Sequence, residues 1–291
     1  MKAAVTVQPM KNIYIKPNTG KAEAMAAASK AVPYLLSHNL NIYAADSARK
    51  MLGIPNIKRH AADKKYDLII VFGGDGTILA AAHEFAGTDI PILGVNFGRL
   101  GYLCQTELGD FERVLDKYFS GDFTVEKRAV LDCTVNFTDG EKKFFNAFND
   151  ITIHRGASGG LLSTEININS TYMDSYSSDG IIACTPTGST AYNFSAGGPI
   201  VNPIARNIIL TPICSHTVFS RSIVLMQDDI LTLTPIIDGR KIRPLLSADG
   251  VDNLFLKKPC KIDIKISDIE FPLIRTDKYN FYDTIREKMI K

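Results

Sequence analysis

A glycine-rich turn with a single carboxylate is the first indication of chemistry in this chain. The apolar run 67–72 leads into residues 73–77, which read Gly-Gly-Asp-Gly-Thr, and a helix-like segment follows, with Thr77 as its candidate N-cap. Glycines permit positive φ and close backbone approach, so backbone N–H groups at the carboxyl end of a parallel strand can face phosphate oxygens. The turn therefore predicts a phosphate site, and Asp75 is its only acid.

Asp75 has two chemical roles that suit a phosphate site. A lone carboxylate would repel phosphate, unless it accepts the proton of a hydroxyl or holds a divalent cation, and both roles occur in kinases. The alternative is an Asp-Gly turn whose carboxylate bonds its own backbone. Such a turn needs fewer glycines than residues 73–77 contain, which favours phosphoryl transfer with Asp75 at its centre.

A second unusual segment, residues 185–195, reads Thr-Pro-Thr-Gly-Ser-Thr-Ala-Tyr-Asn-Phe-Ser. The buried strand expected over 181–184 would deliver the hydroxyls of this segment onto a turn, where they can cap the next helix or donate to a polar ligand. Tyr192 could stack on a base. The alternative is a richly capped turn with a core tyrosine, and this segment alone leaves both interpretations open.

Composition sets limits on function. The length of 291 residues favours two domains, and 45% apolar and 22% charged residues with a net charge of +2 are typical of an ordinary globule, so we expect no nucleic-acid partner. We see no membrane-spanning run and no secretory signal, and expect the cytoplasm with no membrane partner. Five scattered cysteines and five unclustered histidines predict no metal site built from protein side chains.

The texture of the chain changes near residue 123. Strands at 12–16, 40–44, 67–72 and 90–95 alternate with helices at 21–36, 46–52 and 77–85, which predicts an α/β domain with a parallel, Rossmann-like sheet over 1–123. A mainly β domain is expected over 124–275, and a tail over 276–291, with a helix at 284–289, is expected to pack back on the first domain. The strands expected in the second domain are 129–137, 143–153, 161–168, 171–175, 181–184, 222–237, 242–247 and 260–266.

Five segments taken together resemble the NAD kinases in order and spacing. They are residues 73–77, Asn-Phe-Gly-Arg-Leu-Gly-Tyr-Leu at 96–103, Asn-Asp at 149–150, Asp-Gly at 179–180 with the turn at 185–192, and Ala-Asp-Gly at 248–250. The resemblance spans about residues 67–250. It implies a two-domain NAD kinase, a phosphotransferase with an alcohol group as acceptor. The enzyme would move a phosphoryl group from ATP, or from polyphosphate, to the 2′-hydroxyl of the adenosine ribose of NAD, giving NADP.

The resemblance also implies roles for individual residues. Asp75 would accept the proton, Asp179 could reach the substrate of a neighbouring subunit, and the protein would be a homo-oligomer, either a dimer or a tetramer. Arg99 is a phosphate candidate, with a solvated surface arginine as the alternative. The residues implied at NAD or ATP are Gly73, Gly74, Asp75, Gly76, Thr77, Tyr102, Asn149, Asp150, Asp179, Thr187, Thr190, Ala191, Tyr192, Asn193, Phe194, Ser195 and Asp249.

The leaving polyphosphate charge calls for Mg²⁺. The chain has no Gly-Lys-Ser/Thr sequence to hold it, since Gly20-Lys21 is followed by Ala22. We therefore expect the metal to arrive largely with the nucleotide. Two positions depart from the family pattern: Phe97 stands where Thr is usual and Asp150 where Glu is frequent. Asp keeps both carboxylate oxygens but shortens the reach by one methylene.

Two other functions remain open at this point. A lipid kinase of the diacylglycerol class shares the Gly-Gly-Asp-Gly-Thr turn, but it would have to bind a membrane, and the chain has no basic amphipathic helix or lipidation signal. A non-catalytic dinucleotide sensor would use the same pocket without turnover. Asp75 disfavours the sensor, because a pure binder has little need of a carboxylate beside phosphates.

Overall fold

A computed structural model describes residues 11–61, 63–97, 101–104, 106–157, 160–217, 220–237, 242–275 and 280–289. The chain forms two compact units, the first within residues 1–127 and 271–291 and the second within 128–270. The first boundary, after Lys127, falls inside the strand that begins at Thr124, and the second, after Glu270, falls inside the strand Cys260–Arg275. Arg99 lies outside the described residues.

The first unit contains an α/β sheet. Its strands follow the order β3-β2-β1-β4-β5 and the described pairs are parallel. All five residues of β4 are buried, as expected for a strand covered on both faces. The elements are β1 (Asn12–Pro17), α1 (Ala22–Ser37), β2 (Asn41–Ala44), α2 (Asp46–Leu52), β3 (Lys58–Arg59), β4 (Leu68–Phe72), α3 (Asp75–Glu84), β5 (Ile92–Asn96), β6 (Thr106–Glu107) and α4 (Phe111–Phe119).

The second unit is mainly β. One group of strands runs in the order β11-β10-β15-β18, with β7 pairing both β8 and β18, and a six-stranded sheet runs β14-β13-β12-β9-β16-β17. The elements are β7 (Thr124–Phe137), β8 (Lys142–Ala147), β9 (Asp150–His154), β10 (Leu162–Ile168), β11 (Thr171–Ser178), β12 (Gly180–Cys184), α5 (Tyr192–Ser195), β13 (Ile208–Ile213), β14 (Ile223–Leu225), β15 (Leu231–Pro235), β16 (Leu245–Ala248), β17 (Asp252–Phe255) and β18 (Cys260–Arg275).

The structure confirms the predicted fold class, an α/β domain with a parallel sheet followed by a mainly β domain. Two predicted strands each prove to be two. The run 143–153 divides into β8 and β9, because the N–H groups of residues 148–150 bond the Asp249 carboxylate rather than a neighbouring strand. The run 222–237 divides into β14 and β15, where the Asp229 carboxylate accepts the N–H of Met226. Strands β13 and β17 were not predicted.

The carboxyl-terminal segment ends in helix α6 (Phe281–Met289), which begins three residues before the predicted helix and belongs to the first unit. Among the described residues, no helix has the length and apolar character needed to cross a membrane.

Candidate active site

Asp75 is the first residue of α3 and is held by a loop rather than by its own turn. Its Oδ1 accepts the backbone N–H groups of Leu103 and Cys104, each at 3.0 Å, and its Oδ2 accepts that of Tyr102 at 2.9 Å. The alternative of a self-bonded Asp-Gly turn is therefore wrong. A carboxylate has about four acceptor positions. From the described residues, Oδ2 accepts one N–H and Oδ1 accepts two, so Oδ2 keeps the greater capacity toward those residues.

The glycines around Asp75 allow close approach. A Cβ on Gly101 would meet the Asp75 carboxylate, and one on Gly73 would meet the Thr77 side chain. A Cβ on Gly74 or Gly76 would meet nothing within 4 Å, so the outer face of the turn is open. The prediction that Thr77 caps the helix is wrong: Gly74 is the N-cap, and Thr77 lies in the first turn, where its hydroxyl accepts the Asn18 amide N–H at 3.2 Å.

A cavity of about 430 Å³ opens beside the glycine turn, within the first unit. It lies at the carboxyl ends of β1 and β2, which is where open α/β sheets bind ligands. Lys16 on its wall is paired with Glu84, which also accepts the Tyr14 hydroxyl at 2.8 Å. The other polar or glycine residues of the wall include Asn18, Thr19, Lys21, Ser47, Gly74, Gly76 and Thr77.

A second cavity, of about 530 Å³, lies within the second unit and collects predicted residues from four segments of the chain. Its volume is in the range of small-molecule sites. The predicted residues on its wall are Asn149, Asp150, Asp179, Ala191, Tyr192 and Asp249; the wall residues that sequence reasoning missed are Thr152, His154, Arg155, Gly156, Ile213, Ser247 and Gly250.

Asp249 holds one wall of this cavity in place. It lies in the β16–β17 turn with φ +51°, followed by Gly250 at +70°, and it accepts three successive N–H groups: Phe148 at 2.7 Å, Asn149 at 2.8 Å and Asp150 at 2.9 Å. Burial, with the nearby Asp249 charge as the second cause, raises the pKa of Asp150 to about 7. Asp150 can therefore be present as a neutral acid near neutral pH.

In the hydroxyl-rich turn, hydroxyls bond backbone carbonyls, two of them within the turn itself. Thr185 donates to Phe148 O at 2.7 Å, Ser189 to Pro186 O at 2.6 Å and Thr190 to Thr187 O at 3.3 Å. These bonds agree with the capped-turn interpretation. The same interpretation also predicted a tyrosine in the core. That part is wrong, because Tyr192 is 47% exposed on the cavity wall.

The remaining predicted residues of the turn divide by burial. The Thr187 hydroxyl accepts a bond from buried Arg128 at 3.1 Å. The Asn193 side chain is buried, donating to Ser189 O and Pro199 O and accepting the Thr211 hydroxyl at 2.7 Å. Phe194 and Ser195 are exposed.

Arg155 is the most consequential residue that the sequence did not reveal. Its Nε lies 2.7 Å from Asp179 Oδ1 at the cavity wall, so the acidic cavity carries a guanidinium group held by an ion pair. Arg155 directly follows strand β9, and Asp179 lies between strands β11 and β12. Its only sequence signal was a basic residue directly after the apolar strand that begins with Asp150.

Comparison with known proteins defines the class. The family model of the ATP-NAD kinase N-terminal domain matches residues 13–123, and that of the ATP-NAD kinase C-terminal domain matches residues 148–276. The NAD kinase of Thermoanaerobacter sp. (strain X514) is 38% identical over 282 residues, which cover 96% of this chain and 99% of the relative. That of Clostridium kluyveri (strain ATCC 8527) is 40% identical over 225 residues, covering 77% and 78%. The chain is thus a two-domain nucleotide-dependent kinase.

The chain belongs to the NAD kinase family. Yeast NADH kinase, solved in complex with NADH, superposes with a TM-score of 0.89 at 25% identity, covering 97% of this chain and 88% of the yeast chain. An NAD kinase from Archaeoglobus fulgidus, solved in complex with ATP, shares the fold with a TM-score of 0.74 at 22% identity, covering 95% and 99%. The predicted family and the predicted NAD kinase activity are confirmed, and the lipid-kinase and sensor alternatives are set aside.

Proposed function

We propose that this NAD kinase transfers the terminal phosphoryl group of ATP to the 2′-hydroxyl of the adenosine ribose of NAD with Asp75 as the proton acceptor. The observation that carries the assignment is the anchored carboxylate. Three backbone N–H groups fix Asp75 at the start of α3, beside glycines whose outer face is open. A fixed carboxylate can orient a hydroxyl for attack, and orientation supplies much of the catalysis of phosphoryl transfer.

The chemical step balances without a further reactant. The ribose oxygen forms a bond to the terminal phosphorus, the bond from that phosphorus to the bridging oxygen breaks, and ADP leaves. The hydroxyl proton passes to Oδ2 of Asp75 as the new P–O bond forms, since a sugar hydroxyl is too weak an acid to ionise beforehand. Protonation of Oδ2 disturbs one N–H bond, while the two bonds to Oδ1 keep the carboxyl group in place.

We place the donor phosphates in the cavity of the first unit. Its wall offers the ammonium group of Lys21, the ammonium group of Lys16, which is paired with Glu84, and the backbone of the glycine turn at the amino end of α3, where the helix dipole favours anions. Mg²⁺ would bind largely through the nucleotide phosphates and neutralise the leaving charge. On the protein side, the Asp75 carboxylate already accepts three N–H groups. This fits a metal ion that is bound mainly by the nucleotide phosphates.

We place the adenosine of NAD in the cavity of the second unit. Tyr192 offers an exposed ring for base stacking, and the Asn149 and Asp150 side chains line the same wall. Thr187 and Asn193 would act by holding the turn that presents Ala191 and Tyr192, with Thr190, Phe194 and Ser195 completing the turn. Asp179, paired with Arg155, would meet the dinucleotide at the rim.

Two broader proposals concern the assembly and the compartment. We propose a homo-oligomer, supported by the edge strand β17 and its turn, where Val251 and Phe255 are exposed; light scattering on the purified protein would measure its mass.

We propose the cytoplasm as the compartment, supported by five free cysteines, which suit reducing surroundings.

The function is tested by incubating the purified protein with NAD and Mg-ATP and following NADP with an NADP-specific dehydrogenase. A parallel reaction replaces ATP with polyphosphate, and another replaces NAD with NADH and is followed by an NADPH-specific oxidation. We expect NADP from NAD and ATP. No NADP with any donor would overturn the proposal, and turnover with polyphosphate alone would reassign the donor.

A further inference from the structure

Helix α6 reaches the loop that holds Asp75. The helix is secured by the buried residues Phe281 and Thr284, and the Asn280 side chain accepts the Tyr282 N–H at 3.0 Å at its start. In its last turn, the Lys288 ammonium lies 4.3 Å from the centre of the Tyr102 ring. This is cation–π geometry, and it connects the carboxyl-terminal helix to a loop distant in the sequence.

Tyr102 is the first of the three residues whose N–H groups bond the Asp75 carboxylate. Leu103 and Cys104, which donate to Oδ1, are themselves buried and so are held by packing. The Tyr102 N–H donates to Oδ2, the oxygen proposed to accept the proton. Tyr102 is only partly buried. The contact with Lys288 therefore falls on the least buried of the three residues whose N–H groups bond Asp75.

We propose that Lys288 is a positioning residue for the kinase reaction. Its ammonium holds the Tyr102 ring, the ring fixes the backbone of residues 101–104, and that backbone fixes Oδ2 of Asp75. The expected effect of Lys288 on turnover rests on the proposed role of Asp75. The restraint of Lys288 on the loop does not, because it is a property of the protein without substrate. Small displacements of a reacting group lower the rate strongly.

The test uses the full-length protein and two measurements on each variant. Hydrogen exchange of the amides of residues 102–104, followed by mass spectrometry without substrate, reports the loop, and steady-state NADP formation reports catalysis. The variants are Lys288→Ala, Lys288→Met, which keeps most of the chain length without the charge, and Lys288→Arg, which keeps a cation for the ring. Glu287→Ala is the matched control, exposed on the same helix turn.

We expect Lys288→Ala and Lys288→Met to exchange faster at residues 102–104 and to lose about fivefold in kcat, with KM for NAD and ATP within about twofold of wild type. Lys288→Arg should restore both measurements, and Glu287→Ala should match wild type. Unchanged exchange in Lys288→Ala, or an arginine variant as defective as the alanine variant, would overturn the inference. Absence of NADP formation by wild type would overturn the proposed function instead, and the exchange measurement would still decide the role of Lys288.

Discussion

Asp75 and Asp249 use the same device in different units of the molecule. Each carboxylate accepts three successive backbone N–H groups, from residues 102–104 in the first unit and from residues 148–150 in the second. Each bonded segment also needs a glycine nearby: a Cβ on Gly101 would meet Asp75, and one on Gly188 would meet the Asn149 backbone. Hydrogen bonds to a charged acceptor are stronger than neutral ones, so both segments are firmly held.

The surroundings of the two carboxylates differ. Asp75 begins a helix beside glycines with an open outer face, whereas Asp249 lies in a tight strand turn at positive φ and faces the buried Asp150 carboxyl. In the first unit, the bonding pattern therefore presents the carboxylate itself to the candidate site. In the second unit, it presents the segment that the carboxylate bonds, Asn149 and Asp150, to the cavity. From this difference we infer that Asp75 acts on turnover and Asp249 on NAD binding.

Asp75→Asn should give the largest effect. The amide cannot accept the hydroxyl proton as a carboxylate does, and its NH₂ group cannot accept an N–H from the loop. We expect kcat to fall by about 10² to 10⁴-fold, the usual contribution of a general base. Steady-state kinetics at saturating Mg-ATP measures this, and a variant within tenfold of wild type would refute the role of Asp75.

Gly101→Ala tests the anchoring loop without changing Asp75. The added methyl group would occupy the position of the Asp75 carboxylate, so either the loop or the carboxylate must move. We expect kcat to fall by about tenfold or more, since misplacement of a catalytic group costs rate. Gly109→Ala is the control, because a Cβ there meets nothing within 4 Å. Equal activity of the two variants would contradict the account.

Asp249→Asn tests the second anchor. Asparagine tolerates the left-handed backbone of this turn, so the substitution isolates the loss of N–H acceptance from backbone strain. We expect KM for NAD to rise by about tenfold and the free energy of unfolding to fall by about 2 kcal/mol. Denaturant unfolding and NAD titration measure the two effects. A loss of kcat with unchanged KM would reverse the assignment of the two units.

Asp150→Asn tests the raised pKa of Asp150, the buried neighbour of Asp249, through the pH dependence of stability. Because burial, and secondarily Asp249, raises the pKa of Asp150 from 3.8 to about 7, the native protein keeps a proton that the unfolded chain releases between about pH 4 and 7. Wild-type stability should therefore fall as pH rises through this window, by at most about 1.4 kcal/mol per pH unit from this group.

The asparagine variant lacks this ionisation. Its free energy of unfolding relative to wild type should increase from pH 5 to pH 7 and level off above about pH 8. Urea unfolding of both proteins at several pH values measures the difference. A difference that does not change with pH would show that the Asp150 carboxyl titrates as it does in the unfolded chain.

The α/β unit was the more predictable half of the fold. Its strands are continuous apolar runs separated by helical segments, so local pattern and tertiary structure agree, and the helix over Ala22–Ser37 forms despite Pro33. In the β unit, the run 143–153 has no local break. The Asp249 carboxylate, about a hundred residues further on, bonds the segment that interrupts this run after Ala147. Long-range bonds of this kind leave little local signal.

The site was predictable as motifs but not as contacts. The Gly-Gly-Asp-Gly-Thr turn and the Asn149-Asp150 pair could be read directly, because glycine and carboxylate patterns carry their chemistry in the sequence. The three N–H groups on Asp75, the Arg155–Asp179 pair and the Lys288–Tyr102 contact join distant segments, and only the fold brings them together. The turn hydroxyls had two interpretations until their acceptors were known.

The most direct test of the division between the two anchors is the rate of NADP formation against NAD concentration, at saturating Mg-ATP, for wild type, Asp75→Asn and Asp249→Asn together. We predict that Asp75→Asn lowers the plateau by about 10² to 10⁴-fold and leaves the half-saturating NAD concentration within about threefold. Asp249→Asn should raise the half-saturating concentration by about tenfold and keep the plateau within about threefold. Equal loss of plateau in both variants would contradict the account.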